Sequence, residues 1–150
     1  MSAPFVSREP YDAAHPRALA LYCSDGRFTS AVEELLRTLG HDRLDTLTLP
    51  GGPALLVSTI AQVAEHQAVR KASAFLIRGH ALTHAVLLAH EGCGFYRNRM
   101  PRDAADVIAR RQVTDLRAAA AELLREHKSL DVRLYFASVA GERVTFTAVS

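Results

Sequence analysis

Two short segments place the residue types of a metal centre directly behind apolar runs. Cys23-Ser24-Asp25-Gly26-Arg27 follows Ala18-Leu19-Ala20-Leu21-Tyr22, and His90-Glu91-Gly92-Cys93-Gly94 follows Ala85-Val86-Leu87-Leu88-Ala89. The chain has 2 cysteines, Cys23 and Cys93, and each stands where a buried strand should meet a loop. Two thiolates and one imidazole are three of the four ligands that tetrahedral Zn²⁺ prefers, and Asp25 or a water can be the fourth. Asp25 can equally cap the turn in which it stands. A guanidinium two residues further on, that of Arg27, pairs with a carboxylate through two parallel hydrogen bonds. It would hold Asp25 off the metal and leave the fourth position to water.

Other residues carry weaker chemistry. His80 and His84 have the i, i+4 spacing of a metal pair on a helix, but Gly79 and the start of a strand fall there, so a structural or partly exposed setting is expected. Gly51 and Gly52 supply backbone freedom, and amides in such a turn can bind an anion. Phe95, Tyr96 and Met100 are expected to wall a pocket or an interface. Glu91, next to the second motif, is expected to support it rather than bind metal.

Composition narrows the classes. A chain of 150 residues fits one domain, 1–150; at that size folding removes about 68–70% of the extended chain's surface from water. Apolar residues are 49% of the chain and no apolar stretch approaches a membrane span, so a soluble protein without a membrane partner is expected. The first ten residues lack the basic-then-apolar order of an export signal, which makes a cytoplasmic location the expectation. Two cysteines are too few for a disulfide scaffold, and zinc is favoured over a crosslink. The 18 basic and 16 acidic residues are scattered, giving +2 and arguing against nucleic acid. Arg97, Arg99, Arg102, Arg110 and Arg111 form the one local concentration, read as a solvated face with an anion-attracting rim as the alternative.

The elements that must position the motifs follow from periodicity. Ala18–Cys23 reads as a strand buried on both faces. Ser30 and Glu33 have capping-box spacing, and Val32, Leu35, Leu36 and Leu39 recur at helical intervals until Gly40. Asp45–Leu49 alternates as a short strand and runs into Pro50-Gly51-Gly52-Pro53. From about Ala54 to Leu82 the pattern is helical with a break near Ala64 or Gly79, followed by a strand over Ala85–Ala89 ending at His90. A loop to Pro101 leads to a helix over about Asp103–His127, with Val107, Ile108, Leu116, Ala120, Leu123 and Leu124 as its core stripe. Asp131–Ser138 and Arg143–Val149 are strands joined by a turn at Ala140-Gly141-Glu142. The order β-α-β-α-β-α-β-β predicts an α/β fold: a mostly parallel sheet flanked by helices, with a C-terminal antiparallel hairpin strand. Ligands of such sheets bind beyond the carboxyl ends of the strands, where Cys23 and His90 both fall.

At these residues the chain resembles the β-class carbonic anhydrases, which carry Cys-x-Asp-x-Arg after the first core strand and His-x-x-Cys-Gly after the third. Cys23, Asp25, Arg27, His90, Cys93 and Gly94 match those positions, and the order of elements matches over nearly the whole chain. The resemblance implies Zn²⁺ held by Cys23, His90 and Cys93. It also makes Asp25 a switch that joins the metal only in a closed state. With Asp25 paired to Arg27, a zinc-bound hydroxide would attack carbon dioxide to give bicarbonate, and COS or CS₂ are possible analogues. A homodimer or higher homo-oligomer is also implied. The chain departs from the family in having Leu49-Pro50-Gly51-Gly52 where many members have an Arg-Asn-Ala-Gly-like segment. Its arm before the first strand is short and contains no glutamine. A noncatalytic zinc domain closed by Asp25 is therefore the alternative to an enzyme, and a redox switch between Cys23 and Cys93 ranks below both.

Overall fold

The computed structural model describes residues 1–150. Its elements are β1 (Ala18–Cys23), α1 (Thr29–Thr38), β2 (Asp45–Leu49), a 3₁₀ turn over Gly52–Leu56, α2 (Val63–Gly79), β3 (His84–His90), α3 (Gly94–Arg99), α4 (Ala105–Glu126), β4 (Asp131–Ala140) and β5 (Arg143–Val149). The sheet order is β2-β1-β3-β4-β5. The first four strands run parallel and β5 is antiparallel to β4. The expected sheet is thus present, including its C-terminal hairpin.

Alternation along the central strands sends side chains to two cores. Leu19, Leu21, Ala85 and Leu87 face the 3₁₀ turn, α2 and α4, whereas Ala20, Tyr22, Val86 and Leu88 face Val32 and Leu36 of α1. Helices therefore cover both faces, and β1 and β3 are buried along almost their whole length. The chain leaves β1 for β2 on one side and later enters β3 on the other. This is the topological switch point at which an open α/β sheet leaves a crevice. Cys23 and His90 end the two strands that flank it.

Several expectations are corrected. Ser30 does not cap α1: the helix starts at Thr29, its N-cap position is Phe28, and no side chain caps it. The Phe28 amide instead closes a turn on the Asp25 carbonyl at 3.1 Å, so the loop carrying the first motif dictates where the helix begins. The capping box sits on α2, where Gln62 and Glu65 cap reciprocally. Within the helical stretch from Ala54 to Leu82, buried Gly52–Leu56 forms a 3₁₀ turn and the α-helix begins only at Val63. The loop to Pro101 contains the short helix α3. On α4, Leu124 is 37% exposed. Gln112 and Asp115 are buried on the stripe instead, because the helix packs against polar groups of the loop after β3.

No helix is long and apolar enough to cross a membrane. The N-terminal arm is tied down from Asp12, whose carboxylate accepts from Arg43 at 2.8 Å. Before it, Phe5 and Tyr11 are fully exposed.

Candidate metal centre

The switch-point crevice brings Cys23, His90 and Cys93 together. One ligand atom from each lies within 4.8 Å of the others. The Cys23 and Cys93 sulfurs are 3.9 Å apart. Two sulfurs bound ~2.3 Å from one ion at the tetrahedral angle lie about 3.8 Å apart, so this spacing fits a shared cation. His90 Nδ1 donates to the Glu91 carbonyl at 2.8 Å, which leaves the lone pair on Nε2. That Nε2 is buried and has no hydrogen-bond partner. A buried polar atom without a partner is costly, and a metal beside the two sulfurs would supply one. The chain's own donors thus fit a metal.

Backbone amides prepare both sulfurs for negative charge. The backbone at Gly51 and Asp25 favours the Cys23 thiolate, and that at Phe95 and Tyr96, at the start of α3, favours the Cys93 thiolate. Taken by themselves the two thiols share one proton. The hydrogen bond from Cys93 is the main influence that brings Cys23 down to about 4, against the opposing effect of burial. Cys93, as the donor of that bond and a buried group, is pushed up. For His90, burial is the largest influence and disfavours the charged ring, but the Cys23 sulfur, the Glu91 carbonyl and Asp25 together outweigh it and raise its pKa.

The glycine pair after β2 is part of this centre. A side-chain carbon on Gly52, at φ 49°, would come within 2.5 Å of the Tyr22 carbonyl carbon and 2.7 Å of the Cys23 nitrogen. On Gly51, at φ 85°, it would enter the Phe95 ring. Only glycine lets the turn pass so close to the end of β1, where the Gly51 backbone favours the Cys23 thiolate. The anion these buried amides serve is therefore the thiolate.

Asp25 and Arg27 form the expected clamp. Arg27 Nε donates to the two carboxylate oxygens at 3.0 and 3.2 Å, and a terminal nitrogen reaches Oδ2 at 2.6 Å. The Arg27 amide adds a 3.1 Å bond, which is the turn-capping role also considered for Asp25. Hydrogen bonding by Arg27 holds the Asp25 carboxyl at about 2, against a partial opposing effect of burial. Oδ2 lies 4.0 Å from His90 Nε2. The carboxylate thus borders the centre while committed to the guanidinium.

The remaining candidates fall into place elsewhere. His80 bonds Asp45 through Nδ1 and stacks on His15 with ring centroids 3.9 Å apart, and His84 meets Thr83 at 2.7 Å. Phe95 and Tyr96 are buried in the core, and Met100 packs against it. The Glu91 carboxylate accepts from the Val139 amide. Arg99, Arg110 and Arg111 pair with Glu65, Asp106 and Asp115 at 2.8 Å each.

Sequence reasoning overlooked three supports. Phe28 lies against the His90 ring, with centroids 4.3 Å apart. Gln112 donates to the His90 carbonyl at 2.8 Å. Tyr96 donates to buried Asp115 at 2.7 Å, which fastens α3, and with it Cys93, to α4. Polar residues at core positions of the α4 stripe were the available signal for the last two.

No family model matches the chain, and no curated protein matches it. Solved structures do. A β-carbonic anhydrase of Trichomonas vaginalis, isoform I, superposes with a TM-score of 0.59 at 12% identity, over 95% of this chain and 88% of that one. The chain has a β-carbonic anhydrase fold. The β-carbonic anhydrase CafA of Aspergillus fumigatus matches with a TM-score of 0.55 at 16% identity, over 91% and 77%. One of two tetrameric β-carbonic anhydrases of Sordaria macrospora gives 0.55 at 14%, over 92% and 84%. At these identities the likeness establishes the β-carbonic anhydrase architecture.

Proposed function

We propose that the chain is a compact, divergent β-carbonic anhydrase, a single zinc domain over 1–150 that reversibly hydrates carbon dioxide to bicarbonate. Cys23, His90 and Cys93 would hold Zn²⁺, which when bound supplies a Lewis acid that brings the pKa of a coordinated water toward about 7. Asp25 and Arg27 are the reaction's own side chains. The observation that carries this reading is the Arg27 clamp, whose bonds of 2.6 to 3.2 Å keep both Asp25 oxygens engaged at the edge of the centre.

In that position Asp25 stays ionised at neutral pH and accepts a hydrogen bond from the attacking water. The bond directs the water's lone pair at the carbon of CO₂. Arg27 keeps the carboxylate from turning to the metal. Phe28 and the walls of the crevice keep the His90 ring in place and exclude bulk water beside it. COS and CS₂ present a similar linear electrophile to the same geometry. A cytoplasmic setting, in which both thiols stay reduced, belongs to this reading.

Assembly belongs to it as well. The outer edge of β5 is unpaired, Phe5 and Tyr11 project from the arm, and the Sordaria relatives of this fold are described as tetrameric. A homodimer or higher homo-oligomer would cover these features. A strictly monomeric mass in analytical ultracentrifugation, at concentrations where activity is measured, would refute assembly.

Stopped-flow CO₂ hydration by the zinc-loaded chain tests the enzyme reading. Native protein should be active, Asp25→Ala should lose about 100-fold or more, and COS and CS₂ assayed alongside would rank the substrates. The short gap of 4.0 Å between Asp25 Oδ2 and His90 Nε2 supports one second reading, a noncatalytic zinc domain closed by Asp25. Absence of hydration at neutral and alkaline pH, with Asp25 on the metal in crystals at both, would establish that alternative.

A further inference from the structure

Cys93 stands at the head of α3, yet that helix is only 6 residues long and no side chain caps its start. A helix so short does not hold itself, so its place is set by what its side chains reach. Phe95 lies against Gly51, and Arg99 pairs with Glu65 of α2 at 2.8 Å. Tyr96, 2% exposed, donates to Asp115 Oδ2 of α4 at 2.7 Å.

The last attachment differs in kind from the others. Asp115 is 3% exposed, and a carboxylate in such a place is costly unless its oxygens are paired. Both are: Oδ1 accepts from Arg111 Nε at 2.8 Å, and Oδ2 accepts from Tyr96. Arg111 is tethered in turn, because a terminal nitrogen donates at 3.1 Å to Thr59 Oγ1, in the segment between the 3₁₀ turn and α2. An apolar pair at positions 96 and 115 would join the two helices without burying charge. Hydrogen bonds add direction, fixing the distance and angle at which α3 meets α4.

The bonded series Thr59–Arg111–Asp115–Tyr96 has a support of one sulfur at each end. The 3₁₀ turn before Thr59 opens with Gly52, which is packed on the backbone of Tyr22 and Cys23. At the other end, the Tyr96 backbone favours the Cys93 thiolate. The two sulfurs stand 3.9 Å apart. We propose that Asp115 is a positioning residue of the metal centre: through Tyr96 on one side and Arg111 and Thr59 on the other, it holds the sulfurs at the separation that one ion needs. It thereby sets how tightly the chain keeps its metal. The proposal rests on Cys23, His90 and Cys93 being metal ligands and not on CO₂ hydration.

Zinc affinity of the full chain, measured by competition with a chromophoric chelator, tests it in native protein, Asp115→Asn and Tyr96→Phe. Asn replaces one acceptor oxygen by an NH₂ that accepts from neither partner, and Phe removes the donor alone. Each should weaken zinc by about tenfold, as loss of a group that orients a metal ligand does. In the double variant the two losses should not multiply, because both break one series of bonds. Cobalt-loaded samples of both single variants should show shifted d–d bands, which read ligand geometry. Leu123→Val, a core substitution on the same helix outside the series, lowers stability and should leave zinc affinity within about twofold. If Asp115 only fastens helices, the folded variants will match Leu123→Val in zinc affinity and the native chain in cobalt spectrum, and that result overturns the proposal. Should Asp115→Asn not fold, Tyr96→Phe decides by the same two readouts. A native chain that binds no zinc overturns the metal reading and this proposal with it, whereas tight zinc binding unchanged by the variants overturns this proposal alone.

Discussion

One end of the sheet gathers four histidines and the other only one, yet it is the latter that forms the candidate metal centre. At the carboxyl end, His90 presents a bare, buried Nε2 to two sulfurs. At the amino end, His15, His41, His80 and His84 gather around the starts of β2, β3 and β4, beside Asp45 and Asp131. Their nitrogens are already occupied or diverge. His80 is bonded to Asp45, and its ring lies only 14° from parallel to His15. Ring lone pairs lie in the ring plane, so stacked imidazoles cannot aim at one ion between them. The difference teaches that donor type is not enough: a metal site needs lone pairs that converge and are left unsatisfied by the protein.

The most severe break of the contrast is Cys93→Ser. It removes a soft ligand and the amide-supported sulfur at the head of α3, so zinc content should fall from about one per chain to near zero. Thermal stability should fall with it, since metal bound only by the folded state stabilises that state. Elemental analysis showing undiminished zinc would remove Cys93 from the ligand set. Sulfur protonation gives this loading a sign with pH: the raised pKa of Cys93 and His90 means that zinc must displace protons, so affinity should drop as pH falls.

Arg27→Ala is the next largest test and leaves the ligands untouched. Zinc should be retained, while CO₂ hydration drops by about 10–100-fold as Asp25 turns to the metal. A crystal structure of this variant with Asp25 still away from the metal would contradict the clamp. Gly52→Ala sharpens the role of the turn, since its new carbon would collide with the backbone of Tyr22 and Cys23. A loss of about 3 kcal/mol in denaturant unfolding is expected, together with weaker zinc binding.

At the amino end the effects should be small and unrelated to metal. His80→Asn ought to leave zinc stoichiometry unchanged and lower stability by about 1 kcal/mol, through loss of the bond to Asp45. A drop in zinc content there would mean that the two ends do not divide the labour as described. The smallest effect concerns His41, whose pKa burial lowers first, with His84 and Arg133 adding to it and Asp131 opposing. Between its folded value and the ordinary 6.5 the unfolded chain binds the proton better, so stability is full above 6.5 and declines as pH falls through that window. In His41→Gln the difference in Tm between pH 7.5 and 5.5 should be slightly narrower than in the native chain.

Much of this contrast was already legible in the chain. Continuous apolar runs identified β1 and the middle of β3, and alternation located β2 and β5 with the bounds seen in the structure. The parallel order then put Cys23 and His90 at the same end, because every parallel strand must finish on that side. Short polar elements were not legible. A six-residue helix such as α3 has too few turns for a hydrophobic period, and its hold on Cys93 comes from Tyr96 reaching Asp115 across 19 residues. The capping pattern at Ser30 misled because a local motif competes with the loop before it, and the turn from Asp25 to Phe28 prevailed.

By itself the sequence determined the residue chemistry, the strand periods and hence the common end of the sheet, since these depend on side-chain type and on neighbours a few positions away. Which lone pairs remain bare, which acids are clamped and which buried amide lacks a donor were decided only by tertiary structure. Gln112 shows why: its spacing marks a helix face, but which end of its amide finds a partner depends on a carbonyl 22 residues away in the chain.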